Sequence, residues 1–515
     1  MRFRWCGVAL LLAACKTVPV TPPAVLAQLE KGGHLSGVPV ALGSSAVLNA
    51  EDFVYDAKLS PDSKRAAVSR LGPKSFHLTT HELGTKTKRD VVLNPLEFDV
   101  ESLEFSPDGA TVATVSRDGA LRLHSAATGQ LVAQWLTEEP LVSLAWSRDG
   151  AFLALGSVKG LVTVLAVPAM QFVAEVRAHL DEVRGLAFTP QRELLSAGWD
   201  AKLLAFTLEE TSAPSRELRT HFTKKNGVIS LRAVLDGAAS ATLALDARSP
   251  MITINAALAQ ALGIDTLALT DTTQVPTAFG PQVVKVAKNR TLAIKNVQLT
   301  GLDVAICDAC VPPDLQGVLG GPALASLPFA FDESTGELVF TLPEGRLGTT
   351  LALKRARTMT MPAPINDLSL DAAGTTAGLA FSETKAERTR AVYEREKKGE
   401  IEPAREWDCG ARVDVLTGHV IEKKTGHRGV VATAGISPDG HTLATGGWDK
   451  KVIVHGATPL IDDRFGWAVR RVRFSANGRW LIVAAWTPQN PLGDHQSNPS
   501  AVVTELVYAD ANHVP

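Results

Sequence analysis

Along most of the 515-residue chain, apolar residues come in short runs of four to six, alternating or continuous, each bounded by turn residues. Residues 111–115, 152–155 and 442–445 are examples, and each follows a polar turn that follows another apolar run. This is the pattern of antiparallel hairpins rather than of helices. The turns resemble one another. Leu59-Ser60-Pro61-Asp62, Phe105-Ser106-Pro107-Asp108-Gly109, Trp146-Ser147-Arg148-Asp149-Gly150 and Phe188-Thr189-Pro190 form one series. Leu368-Ser369-Leu370-Asp371, Ile436-Ser437-Pro438-Asp439-Gly440 and Phe474-Ser475-Ala476-Asn477-Gly478 form a second. From Ser60 to Ser106 is 46 residues, then 41 to Ser147 and 42 to Thr189; Ser437 to Ser475 is 38.

A period of about 40–45 residues with four strands per repeat is that of WD40 repeats, and the residues agree. Gly198-Trp199-Asp200 and Gly447-Trp448-Asp449 stand where such repeats carry a Gly-Ser-x-Asp turn, Thr128-Gly129 and Thr417-Gly418 match the hairpin after the third strand, and His179 and His427 match the Gly-His histidine. Residues 50–210 and 360–510 therefore resemble the WD40 family, with His179, Trp199, Asp200, His427, Trp448 and Asp449 as structural residues of the repeat. The third-strand tryptophan of the family is replaced by His124, Phe206, Val413 and His455. The hydrogen-bonded tetrad built on it is expected to be incomplete in every blade. Seven turns predict seven blades, closed by pairing residues 38–42 with 501–508.

Two spacings break the period. Ser369 to Ser437 is 68 residues, and the surplus is a Glu/Lys/Arg-rich stretch near 383–407 with helical propensity, read as a solvated helical loop. Thr189 to Ser369 is 180 residues, a domain-sized excess. Within it, the apolar strand ending Leu243-Ala244-Leu245-Asp246-Ala247-Arg248-Ser249, then Gly263-Ile264, Gly317-Val318-Leu319-Gly320-Gly321, Phe329-Ala330-Phe331-Asp332 and Gly336-Glu337-Leu338-Val339-Phe340 follow in order. These segments resemble the retropepsin-type aspartic proteases. The fold expected is thus mainly β: a seven-bladed WD40-type β-propeller with an inserted small, retropepsin-like β-barrel. Its parts are a first propeller portion of about four blades at 37–212, an insert at 218–346, and a second portion of about three blades at 360–515.

The resemblance makes Asp246 the candidate catalytic residue. Aspartic proteolysis needs two carboxylates sharing one proton, and a retropepsin-like monomer supplies one, so a second copy must dimerise with it. Here the family's Thr and Gly after the aspartate are Ala247 and Arg248. Alanine lacks the hydroxyl that ties paired loops together. Arginine replaces a residue whose missing Cβ lets two backbones approach, and it is expected to pair with the carboxylate. Asp246 is read as a vestige.

The chain's ends and composition narrow the setting. Arg2 and Arg4, an apolar run at 7–12, and Leu12-Ala13-Ala14-Cys15 resemble a bacterial lipoprotein signal. That implies removal of 1–14, lipidation of Cys15, a Pro-containing tether at 15–36 and a membrane partner reached through the lipid. Lys16 after the cysteine favours the outer membrane of the cell envelope. The net charge of −2 gives no reason to expect nucleic acid. Cys307-Asp308-Ala309-Cys310 leaves open a redox pair, half a metal site or a local disulfide. A disulfide suits an oxidising compartment best, and no second Cys-x-x-Cys supports a metal. His77 and His81 read as surface histidines. No cofactor is expected. The leading function is a scaffold that binds a protein or peptide ligand through the propeller and the insert. An active membrane-tethered aspartic endopeptidase, dimeric through Asp246, is the alternative, and a purely structural lipoprotein is a third reading.

Overall fold

The computed structural model describes residues 35–508 except 36, 50–52, 72–74, 84, 86, 96–99, 138, 168–169, 211–216, 237–238, 278–279, 296, 326–328, 333–336, 342–350, 384–404, 467 and 486–499. The signal, Cys15, nearly all of the tether and most of the charged stretch lie outside these residues.

Each repeat folds around its turn. The Ser106 hydroxyl donates to Asp108 Oδ1 at 2.6 Å and accepts from the Thr111 N–H at 2.9 Å, while Gly109 takes φ +69°. The serine therefore closes the turn, the aspartate holds the serine, and glycine supplies the left-handed residue. Ser60, Ser147 and Ser475 accept the equivalent amide at 2.8–2.9 Å.

Among the described residues, these hairpins build seven four-stranded antiparallel sheets. Their first strands are Phe53–Leu59, Val100–Phe105, Leu141–Trp146, Val183–Phe188, Ile365–Leu370, Val431–Ile436 and Val469–Phe474. Each first strand packs against the next, and the last returns to Phe53–Leu59, so the sheets form a ring around a central channel. The chain's first described strand, Pro39–Asn49, pairs with Ala501–Tyr508 as the outer strand of the final sheet. That pairing joins the first described strand to the last. Between sheets lie apolar layers such as Leu195, Leu203, Ile365, Leu379 and Phe381.

Two expectations are corrected. In the fifth sheet the turn residue is Asp371, not Ser369: the Asp371 carboxylate accepts from the Thr375 N–H at 2.8 Å, and Asp371 N–H reaches the Thr376 carbonyl at 3.0 Å. Ser369 instead accepts from the Ile436 N–H of the neighbouring first strand at 3.0 Å. The propeller also resumes before 360. Leu351–Thr360 pairs antiparallel with Lys202–Glu210 and completes the fourth sheet, so the insertion separates the third and fourth strands of one sheet.

In the insert, eight strands form one sheet that closes on itself where Val234 and Leu235 pair with Ala293 and Leu292. Leu231, Leu243, Ile254, Leu319 and Phe340 fill it. Glu217–His221, Glu337–Thr341 and Phe329–Asp332 form a small separate sheet. The barrel is packed onto the propeller. Val234 shares an apolar cluster with Trp135, Leu165 and Met170, and Lys295 pairs with Glu175 while lying 5.4 Å from the Phe172 ring. Val234→Ala is expected to cost about 2 kcal/mol, two methyl groups plus the void they leave, and to speed proteolysis at the junctions. Unchanged melting and cleavage rates argue against a docked insert.

Candidate functional site

Asp246 ends the strand Ala239–Asp246, which runs parallel to Gly317–Gly320 with Asp246 opposite Gly320. After a tight turn, Ile252–Ile254 returns on the other side of Gly317–Gly320. Gly320 and Gly321 admit the turn: a Cβ on Gly320 would lie 2.2 Å from the Met251 carbonyl oxygen, and the Gly321 N–H donates to the Ser249 carbonyl at 2.8 Å. The loop is thereby held rigidly at the strand's end.

The carboxylate it presents is occupied. Arg248 donates from its backbone N–H and from Nε to Asp246 Oδ1, each at 3.0 Å, and from a terminal nitrogen to Oδ2 at 3.2 Å. The Asp246 side chain is 37% exposed and that of Arg248 92%. Hydrogen bonds from Arg248 hold the Asp246 carboxyl below the usual range, against a smaller opposing effect of burial. This favours the ionised form, the wrong direction for sharing a proton with a second carboxylate. Arg248→Gly is expected to raise the Asp246 pKa toward that of an ordinary aspartate, read by carboxyl-carbon NMR titration; an unmoved pKa contradicts the assignment.

Cys307 and Cys310 are joined in a disulfide with Cα atoms 5.4 Å apart. It fixes the turn in which Asp308 accepts the Ala256 N–H at 2.7 Å, capping the helix Ala256–Ala261 together with Asn255. Cys409 is a buried thiol, pushed up to about 11 by burial, and so is unreactive. Among the described residues, no group of three or more His, Cys, Asp or Glu side chains is placed to hold a metal.

The repeat residues form two hydrogen-bonded relays. His179 Nδ1 meets Asp200 Oδ1 at 2.8 Å and Nε2 meets Ser196 Oγ at 2.7 Å, with Phe206 ending the series. His427 likewise joins Asp449 Oδ1 at 2.8 Å and Thr445 Oγ1 at 2.8 Å, but here Thr445 Oγ1 continues to His455 Nε2 at 2.7 Å. The tetrad expected to be incomplete everywhere is thus complete in this sheet, because an imidazole nitrogen reaches the hydroxyl in place of an indole. Trp199 acts between sheets instead. Its Nε1–H donates to Asn366 Oδ1 at 2.9 Å and ties the fourth sheet to the fifth. Trp448 is half-buried, and its backbone N–H donates to the Val430 carbonyl at 3.0 Å. His77 is half-buried and bonds Asp90 at 2.9 Å. His81 is half-buried and pushed down to about 4 by desolvation.

The channel also holds a polar belt that the repeat pattern does not announce. Four residues before the turn residue, the seven first strands carry Asp56, Ser102, Ser143, Gly185, Asp367, Thr433 and Arg471. Asp367 is buried and accepts from Arg471 at 2.7 Å, from Arg473 at 2.6 and 2.7 Å, and from Thr433 at 2.5 Å. Arg471 also donates to Asp56 at 3.1 Å, and Ser102 to the other Asp56 oxygen at 3.0 Å. Burial alone would raise the Asp367 pKa, but Arg473 and Arg471 outweigh it and hold it far below the carboxylate range. The sequence signal for these residues is a polar side chain in the middle of an apolar strand.

The family model described as aspartyl protease matches residues 226–323. That described as WD domain, G-beta repeat matches 94–125 and 413–455. Among curated proteins, the chain is similar to the poly(A)+ RNA export protein of Schizosaccharomyces pombe, 34% identical over 152 residues, 28% of this chain and 43% of that one. It is also similar to WD repeat-containing protein 1 of Gallus gallus, 31% identical over 128 residues, 24% and 21% of the two chains. WD repeat-containing protein SL1-17 of Schistosoma mansoni is 33% identical over 107 residues, 20% and 35%. The chain spans less than half the length of each of these relatives. The protein carries WD40 repeats, folded as a β-propeller, and an aspartyl protease-like domain inserted within them.

Proposed function

We propose that this protein is a lipid-anchored scaffold of the cell envelope, held at the outer membrane, that binds a protein or peptide and does not cut it. The observation that carries this reading is the three-point hold of Arg248 on Asp246. The insert keeps the loop-and-glycine frame of an aspartyl protease, while the acid that would activate water is bound to an arginine of its own loop. WD40 repeats elsewhere serve as interaction platforms, and the ring of sheets presents loops on two faces for the same use. A barrel docked rigidly on that ring extends the surface. The competing reading, an endopeptidase formed when two inserts bring two Asp246 carboxylates together, is supported by the intact frame around Gly320 and Gly321.

The anchor and the binding role are tested separately. Growth with labelled palmitate is expected to label the wild-type chain and not Cys15→Ala; equal labelling contradicts the anchor. Incubation with a peptide library, read by fluorescence anisotropy and mass spectrometry, is expected to recover bound peptides at full length. Bound peptides recovered shortened overturn the non-cutting reading, and absence of any bound peptide overturns the scaffold.

A further inference from the structure

On the face that carries the Ser-Pro-Asp turns, the central channel widens into a cavity of about 360 Å3, within the range of about 300–1,000 Å3 that accommodates small ligands. Its wall is unevenly charged. Five cationic side chains, Lys58, Arg148, Arg184, Arg471 and Arg473, face two anionic ones, Glu104 and Asp367. Arg471 and Arg473 are committed to Asp367 and Asp56, and Arg184 to Glu182 at 3.0 Å. Among the described residues, Arg148 reaches only the Asp371 carbonyl, at 3.1 Å. Lys58 lies in the field of Glu104 and Asp56, and among the described residues no hydrogen bond satisfies its ammonium. Burial disfavours the charge on both Lys58 and Glu104, each partly offset by the other.

Trp146 lines the cavity, is only 8% exposed, and has a buried indole Nε1–H with no acceptor among the described residues. Buried donors are rarely left so. Phe105, Trp146, Phe188 and Phe474 each end a first strand beside the opening, the first three of them only 5–8% exposed and packed between sheets. Cationic groups lining the cavity, with exposed Arg148 in the turn at its rim, suit a ligand with an anionic tip.

We propose that this cavity binds the carboxylate end of a peptide chain, with Lys58 and Arg148 holding the anion. The proposal rests on the reading of the propeller as a binding body and names the chemistry of its ligand. A free small carboxylic acid shares that chemistry and is separated from a peptide end by experiment.

The test is calorimetric titration of the full chain carrying Cys15→Ser with three probes: Ala-Ala-Phe as the free acid, the same tripeptide as its amide, and succinate. The free acid is expected to bind at least tenfold more tightly than the amide. Lys58→Met and Arg148→Gln are each expected to weaken the free acid at least tenfold without affecting the amide. Arg148 is on the surface, so its variant reads the site even where Lys58→Met perturbs folding. Equal affinity for acid and amide, or wild-type affinity in both variants, overturns the proposal. Binding of succinate without binding of either tripeptide overturns the peptide assignment. Asp246→Asn leaves all these affinities unchanged, so a cutting enzyme and a site without carboxylate preference give distinguishable results.

Discussion

Asp367→Ala is expected to lower stability by about 3–5 kcal/mol, the cost of leaving buried charge without its partner. The carboxylate sits at the centre of the ring and receives both Arg471 and Arg473, with Thr433 and the Ala434 N–H as further donors. Its removal leaves Arg471 with Asp56 and leaves Arg473 with the Ala434, Val472 and Leu368 carbonyls in place of a carboxylate. Because these residues belong to the first, fifth, sixth and seventh sheets, the loss acts on closure of the ring rather than on one hairpin. The pH dependence carries the same signature. A carboxyl whose folded pKa is depressed stabilises fully above its unfolded pKa of about 4 and loses that contribution as pH falls below it. Denaturant titrations at neutral pH and near pH 3 read both effects. A loss under 1 kcal/mol, with an unchanged acid limb, contradicts the role given to the belt.

The second large effect is acid sensitivity set by His455. Desolvation, with a smaller push from His427, lowers this imidazole from 6.5 to about 3. The unfolded chain therefore takes up a proton below about 6.5 that the folded chain refuses. Stability is complete above that pH and falls by up to about 1.4 kcal/mol per pH unit on descending toward pH 3. His455→Phe removes this group and also the hydrogen bond to Thr445, a net cost of about 1 kcal/mol at neutral pH. Near pH 5 the avoided protonation is worth up to about 2 kcal/mol, so the two stability curves are expected to cross between pH 5 and 6.5. Parallel curves across that range show that His455 does not govern the acid limb.

Much of this architecture is legible in the sequence because its causes are local. A serine that accepts an amide five residues on, an aspartate that holds it, and a glycine with positive φ leave the same trace at the Ser106, Ser147 and Ser437 turns. The barrel's frame is legible for a similar reason: the glycines opposite the Asp246 loop are required by close backbone approach. What escapes depends on partners far apart in sequence or on atoms rather than residue names. Asp367 and Arg473 are separated by 106 positions and meet only when the ring closes. Leu351–Thr360 is an outer strand with much of its length exposed, so it shows little apolar alternation. Asp371 closes its turn through a carboxylate instead of a hydroxyl, which displaces the apparent turn by two residues. His455 stands where a tryptophan is missing, and its ring nitrogen supplies the hydrogen bond the position requires.

The Asp246–Arg248 pair carries the largest functional consequence, and it is a local feature that chemistry alone reads from three consecutive residues. The most direct measurement is peptide cleavage by the full chain carrying Cys15→Ser, across about pH 3 to pH 7, beside the same chain with Asp246→Asn. The account predicts no cleavage by either protein at any pH, with both equally folded. Cleavage by the parent that disappears with Asp246→Asn would contradict it and make this propeller the carrier of a working protease.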